Sequence, residues 1–347
     1  MLLGSTATLL LGTLTFWWGV RVGRLLLRRG ATANDLFKGR TSVSLAFLGL
    51  YVGLMVLALH VPQFHQLPIE WRFYGMEVTW TIMRVILLGF CGLTFIVSWK
   101  TARIQVIAVV LLGLLGLGGF TAAERYFLAP IYPTLEDNLR PNGIFRQTSA
   151  SSCAPAALAT VLRLWEMDAT ESEVARLAGT SRLGTSMAQL IVAARELGMD
   201  GLELSPTWEQ MRRINRPGVL ATWLYSANGR VAHAVALTGM TESVAQIADP
   251  AFGRFFYVER SQFERVWRNQ YVPIFRPEEK LLARSEAVTY LWELNYLPAS
   301  ENVADAELEA AIRRFQRFMG VTETGELDPM TVLLLRGRFL EGVPTLQ

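Results

Sequence analysis

The sequence predicts a multi-domain chain: four transmembrane α-helices, then an α+β domain, then a small three-helix bundle. Three observations carry this. Four long apolar stretches crowd the first 121 of 347 residues. Between residues 144 and 277 helical periodicity gives way to short strand-like runs. Beyond Pro277 helical stripes return. The predicted boundaries are residues 1–121 for the membrane part, 122–143 for a linker, 144–277 for the α+β domain and 278–347 for the bundle.

The apolar stretches are Leu2–Val20, Val43–Val61, Val78–Trp99 and Ile104–Phe120. Each is near the roughly 20 residues that cross a bilayer. The first has no basic segment ahead of it, and Arg21 rather than a small-residue cleavage site follows it, so it reads as a retained span. Arg21, Arg24, Arg28, Arg29, Lys38 and Arg40 lie between the first two spans, against Asp35 alone. Lys100 and Arg103 lie between the third and fourth. Both loops are expected to face the cytoplasm, which puts both termini and everything beyond residue 121 outside. Arg84, inside the third span, reads as a snorkelling residue near the outer interface. His60 and His65 flank Pro62 without a third ligand and read as interfacial residues, so neither a metal nor any other cofactor is expected.

Charge is divided unevenly. Residues 1–121 hold 10 Lys/Arg and 3 Asp/Glu, and residues 122–347 hold 23 and 27. The basic surplus therefore belongs to membrane-side loops, and the second half has no Lys/Arg run with interleaved aromatics; a nucleic-acid partner is excluded. Cys91 falls in a span and Cys153 in the next domain, so no intrachain disulfide is expected.

Pro130, Pro133, Pro141 and Gly143 mark the linker. In QTSASSCAPAALATVLRLW, from Gln147, Ser151 or Ser152 is placed to cap a helix and Pro155 suits its first turn, which sets Cys153 at the helix start. There the positive end of the helix dipole favours a thiolate. Thr170-Glu-Ser-Glu173 opens a second helix, Thr185–Leu197 forms a third and Trp208–Ile214 a fourth. Val219–Tyr225 and Val231–Thr238 read as strands joined through Asn228-Gly229, with Val244–Ala248 and Phe255–Val258 after them and a helix at Ser261–Trp267. Helices first and an antiparallel sheet second make this domain α+β.

Cys153 is the only cysteine and His233 the only histidine beyond the membrane part, and Asp249 stands in an Asp-Pro step after a strand. Thiol nucleophilic catalysis needs a thiolate, an imidazole, a carboxylate to orient the ring, and oxyanion donors. Gln147, Cys153-Ala-Pro-Ala-Ala157, His233-Ala-Val235 and Asp249-Pro250 resemble the bacteriocin-processing, double-glycine cysteine peptidases over roughly residues 144–277. The chain departs from that pattern at Ser152, where Asp is common, and at Ala154, where Gly is common. The resemblance implies a papain-like fold with Cys153 as nucleophile, His233 as its acid–base partner, Asp249 orienting the ring and Gln147 donating to the oxyanion.

After Pro277, Val288, Leu291, Leu294 and Leu297 form one helical stripe and Leu308, Ile312 and Phe315 another. Asp328-Pro329 opens a third helix. Ala311-Ile-Arg-Arg-Phe315-Gln316, Gly320-Val321, Thr324-Gly325-Glu-Leu-Asp328 and Thr331 resemble the three-helix peptidoglycan-binding domain. Together the resemblances imply an extracytoplasmic cysteine endopeptidase in a bacterial inner membrane, with an exported peptide or protein as substrate and peptidoglycan as a second partner. No P-loop is present, which separates the chain from exporters with an ATPase domain. The alternative is a non-catalytic, wall-bound scaffold that keeps a peptidase-like fold. A wall-crosslink peptidase of the NlpC type would place a second His where this chain has Asp249.

Overall fold

The computed structural model describes residues 2–34, 49, 53, 69–226, 229–298 and 303–347. The chain divides into two compact units, Met1–Ala129 and Pro130–Gln347.

The first unit contains helices α1 (Leu2–Arg28), α2 (Ile69–Thr101) and α3 (Gln105–Phe127). Glycines let α1 and α2 touch backbone to backbone. A Cβ on Gly19 would lie 2.0 Å from the Gly89 carbonyl oxygen, and one on Gly92 would lie 2.1 Å from that of Phe16. Such small-residue contacts let helix backbones approach closely. Two helical segments are long and apolar enough to cross a membrane, Val78–Thr101 and Gln105–Phe127. The expected four spans thus reduce to two among the described residues. The first expected span forms as α1, but Ser5, Thr6, Thr8, Thr13, Thr15 and the Trp17-Trp18 pair dilute its apolar character. Of the second only Gly49 and Gly53 are described, and His60 and His65 lie outside the described residues. Arg84 does not act alone: it is 8% exposed and pairs with Glu124 of α3, with Thr81 Oγ1 at 3.3 Å.

The second unit begins before the residues whose composition marks a linker have ended. Pro130 bridges Ser181, and β1 (Asn138–Leu139) pairs antiparallel with β2 (Phe145–Arg146). Helices α4 (Cys153–Leu164), α5 (Glu171–Leu177), α6 (Met187–Glu196) and α7 (Trp208–Ile214) precede most of the sheet. Their starts follow local chemistry. Ser186 with Gln189, and Thr207 with Gln210, form capping boxes. Six strands then form one antiparallel sheet: β3 (Asp200–Gly201), β4 (Gly218–Ser226), β5 (Gly229–Met240), β6 (Val244–Asp249), β7 (Arg254–Glu259) and β8 (Trp267–Phe275), in the order β3-β8-β4-β5-β6-β7. Helix α8 (Arg260–Val266) lies between β7 and β8.

Strand β8 is the main element the sequence hides. Pro273 argues against a central strand because it cannot donate to a ladder. Here β3 covers only Ile274 and Phe275, and Pro273 falls just past its end. Gly218, opposite Pro273, is required by close approach: a Cβ there would meet the Val272 carbonyl at 2.3 Å.

The bundle comprises α9 (Arg284–Glu293), α10 (Asp305–Met319) and α11 (Pro329–Arg336). Buried Gln316 holds its turn: Nε2 donates to Thr324 Oγ1 at 2.8 Å and Thr331 Oγ1 at 3.0 Å, and Oε1 accepts from Gly325 N–H at 2.8 Å. Asp328 caps α11 by accepting from Thr331 N–H at 2.9 Å. The bundle shares one core with the α+β domain. Trp208, Met211, Ile214, Val235 and Leu237 join Leu291, Leu308, Phe315, Leu334 and Leu346. Polar groups fix the seam. Gln210 Nε2 donates to the Met319 carbonyl at 2.8 Å, and Asn215 Nδ2 to that of Gly337 at 3.1 Å. Asn215 Oδ1 accepts from Leu346 N–H at 2.9 Å, and Leu346 O accepts from Met240 N–H at 2.7 Å.

At Gly337 a Cβ would lie 1.7 Å from the Arg213 carbonyl oxygen, so the two parts meet there without room for a side chain. Gly337→Ala is expected to destabilise the second unit by about 1–3 kcal/mol, the usual range for overpacking. A lower denaturant midpoint at unchanged m-value reads this; an unchanged midpoint contradicts the seam.

Candidate active site

Cys153 is the first residue of α4, half-buried. The sequence expects a serine cap, and the structure differs. Ser152 makes no side-chain cap bond. Its Oγ turns back instead, accepting from Ser149 N–H at 3.0 Å and donating to Ser149 O at 2.9 Å. No serine side chain therefore covers the first N–H groups of the helix, among them that of Cys153. Thr160 anchors the segment ahead of it, accepting from Phe145 N–H at 3.0 Å.

His233 sits in β5 opposite Thr222 of β4, 6% exposed. Asp249 ends β6 and is 8% exposed. The pairings Leu237–Ile247 and Ala236–Ala248 bring the two strands together. His233 Nε2 and Asp249 Oδ1 lie 2.8 Å apart, which leaves Nδ1 for the Cys153 thiol, also a hydrogen-bond partner of the ring. Burial opposes the charged ring, but the hydrogen bonds and charges of Asp249 and Cys153 outweigh it and raise the His233 pKa to about 9. Asp249 Oδ1 also accepts from Ala251 N–H at 2.8 Å, and Gly253, with φ +63°, closes the turn by donating to Asp249 O at 2.8 Å.

Gln147 is tied to the same turn, its N–H donating to Pro250 O at 2.9 Å. Its side-chain Nε2 donates to Ser149 O at 2.9 Å and keeps a second N–H. Of the four residues singled out in the sequence, Cys153, His233 and Asp249 form one connected set, with Gln147 beside it. The loop before α6 flanks the set, because Ser151 Oγ donates to Arg182 O at 2.8 Å. Thr148 and Glu171, which support the Gln147–Cys153 segment, do not stand out in the sequence, because an acid opening a helix and a hydroxyl in a loop carry no distinctive pattern. Among the described residues no group of three or more His, Cys, Asp or Glu side chains is arranged to hold a metal ion.

Comparison with known proteins agrees with this architecture. Residues 142–280 match the Peptidase C39 family and residues 283–335 the putative peptidoglycan binding domain. An uncharacterized protein of Methanothermobacter thermautotrophicus is 35% identical over 134 residues, 39% of this chain and 89% of that protein. One from Methanothermobacter marburgensis is 35% identical over 136 residues, 39% of this chain and 90% of its own length. Among solved structures, the peptidase domain of Streptococcus ComA, a bi-functional ABC transporter involved in a quorum sensing pathway, is 17% identical. The match covers 39% of this chain and 98% of that domain, with a TM-score of 0.35. A double glycine motif protease from an AMS/PCAT transporter, solved with its leader peptide, is 23% identical; the match covers 38% of this chain and 90% of that one, with a TM-score of 0.33. Residues 142–280 thus form a Peptidase C39 domain, followed at residues 283–335 by a peptidoglycan-binding domain.

Proposed function

We propose that this protein is a membrane-anchored, extracytoplasmic cysteine endopeptidase that cuts exported peptides or proteins near the cell wall. The observation that carries the reading is the buried His233–Asp249 hydrogen bond of 2.8 Å, with the ring also interacting with Cys153 at a helix start. Cys153 Sγ attacks the scissile carbonyl carbon and forms the S–C bond. The negative charge that gathers on the carbonyl oxygen is met by the Cys153 N–H and the second N–H of Gln147 Nε2. The imidazolium of His233 gives its proton to the leaving amine as the C–N bond breaks. Water, deprotonated by the same ring, then hydrolyses the thioester. Asp249 holds the ring in the tautomer and direction both steps need.

Location is argued from charge. Lys100 and Arg103 join the two apolar helices and are placed at the cytoplasmic side by the positive-inside rule, which puts the unit from Pro130 onward outside. The match of residues 283–335 to a putative peptidoglycan binding domain supports retention at the wall. An impermeant thiol reagent on intact cells is expected to label Cys153; labelling only after lysis contradicts this placement.

Purified full-length protein in detergent is expected to cleave members of a peptide library, and Cys153→Ala to abolish cleavage. Gln147→Ala should lower kcat by about 10²–10³-fold, the usual effect of losing one oxyanion donor. Turnover unchanged in Cys153→Ala sinks the assignment.

The raised His233 pKa sets the alkaline limit. Folding stability from the charged ring is fully present below pH 6.5 and is lost as pH rises through about 9. Activity that needs the imidazolium falls over the same range, so the alkaline limb of kcat/KM is expected near pH 9. In Asp249→Asn the limb should move toward 6.5, because the carboxylate's charge is gone. Identical limbs in the two proteins contradict this role for Asp249.

A further inference from the structure

Glu171 is wholly buried at the first position of α5, and the catalytic steps above make no use of it. Both its oxygens reach the segment that joins Gln147 to Cys153. Thr148 N–H donates to Oε1 at 2.9 Å, and Thr148 Oγ1 donates to Oε2 at 3.0 Å. The Ser152 hydroxyl lies beside the same carboxylate, which it stabilises when its single hydrogen turns from Ser149 O to Glu171. Through Ser152 and Ser149 the network continues to the Gln147 side chain, whose Nε2 donates to Ser149 O. One carboxylate therefore reaches the residue that follows one oxyanion donor and the residue that precedes the other.

Its own position is fixed from the opposite side. Thr170 caps α5 by accepting from Glu173 N–H at 3.2 Å. Asp137, beside β1, accepts from Ser172 N–H at 2.6 Å and from Ser172 Oγ at 2.5 Å. Among the described residues Glu171 has no cationic partner; only N–H and hydroxyl donors meet it. Burial pushes its pKa up, opposed by the bonds from Ser152 and Thr148. A buried acid held this way is a poor device for stability alone, since apolar side chains of matching shape fill such a place without the desolvation penalty. What it supplies is direction: two oxygens fix one short stretch of backbone at two points.

We infer that Glu171 is a positioning residue, which holds the Thr148–Ser152 segment so that the Gln147 amide and the Cys153 N–H converge on one substrate oxygen. The inference rests on the peptidase reading above. Misplacing such donors by about 1 Å is enough to lower the rate by about 10²-fold. The effect is specific to acyl transfer. Alkylation of Cys153 by iodoacetamide forms an S–C bond at a saturated carbon and expels iodide, so it builds no oxyanion and needs no donor there.

The full-length protein, Glu171→Gln, Glu171→Ala and Thr148→Val are compared by peptide turnover, iodoacetamide labelling of Cys153 and thermal unfolding. In Glu171→Ala kcat is expected to fall by about 10²-fold with KM and alkylation rate near wild type. Glu171→Gln, which keeps the shape and one acceptor oxygen, should recover most of the loss. Thr148→Val, which removes one hydroxyl, should lower turnover relative to alkylation even if Glu171→Ala does not fold. Turnover and alkylation falling in parallel across the folded variants, or neither changing, overturns the inference and leaves the peptidase reading standing. A wild-type protein that cleaves nothing overturns both.

Discussion

The hydrogen bond between His233 Nε2 and Asp249 Oδ1 is the contact on which the rest of the site depends. It turns a separation of 16 residues into 2.8 Å, and the sheet does the work. Pairing of β5 with β6 sets the register, and a shift between Leu237 and Gly239 adjusts it before Asp249 is reached. The turn after β6 then serves both sides. Its Ala251 N–H steadies the Asp249 carboxylate, and its Pro250 carbonyl receives the backbone of Gln147. Because the ring and the carboxylate are both buried, water competes little for the bond, and the charged ring is held in a low-dielectric setting where such a contact is strong.

The second consequence concerns the bundle. A tethered binding module would be joined by exposed, polar chain; this one is built into the core of the neighbouring domain. Gln210 caps its own helix and also donates to the end of α10. Asn215, in the left-handed conformation at the end of α7, holds both α11 and the C-terminal Leu346 strap. The Gln210–Met319 contact joins the two matched family regions, and Asn215 holds the chain just beyond the second. In the proposed role, whatever the bundle grips is therefore held at a fixed attitude to the β5–β6 hairpin that carries His233 and Asp249.

Much of this was legible in residue types. Cys153 and His233 stood out because each is alone of its kind beyond the membrane part, and Asp249 because Asp-Pro follows a strand. Strands β4 to β7 were legible through alternation and through Asn228-Gly229. Strand β8 was not, since Pro273 is admissible only because β3 is two residues long, a fact of tertiary structure. The serine cap was wrongly expected for a related reason. Ser152 is a good cap by type, but its hydroxyl is occupied by Ser149. Glu171 was invisible because an acid at a helix start is ordinary, and only burial shows that it points inward. In the first unit the apolar length of α1 was overread. Helix α1 is long but diluted by hydroxyl and indole groups, and Gly12, Gly19 and Gly23 serve its packing against α2.

The central claim is that Cys153 forms a covalent acyl intermediate under the control of His233 and Asp249. Rapid acid quench of the full-length protein with a cleavable peptide, followed by mass spectrometry of the Cys153 segment, tests it most directly. The account predicts a thioester at Cys153 carrying the N-terminal fragment of the peptide, present in the wild type and absent in His233→Ala. Peptide cleavage that proceeds while Cys153 remains unmodified at every quench time would contradict it.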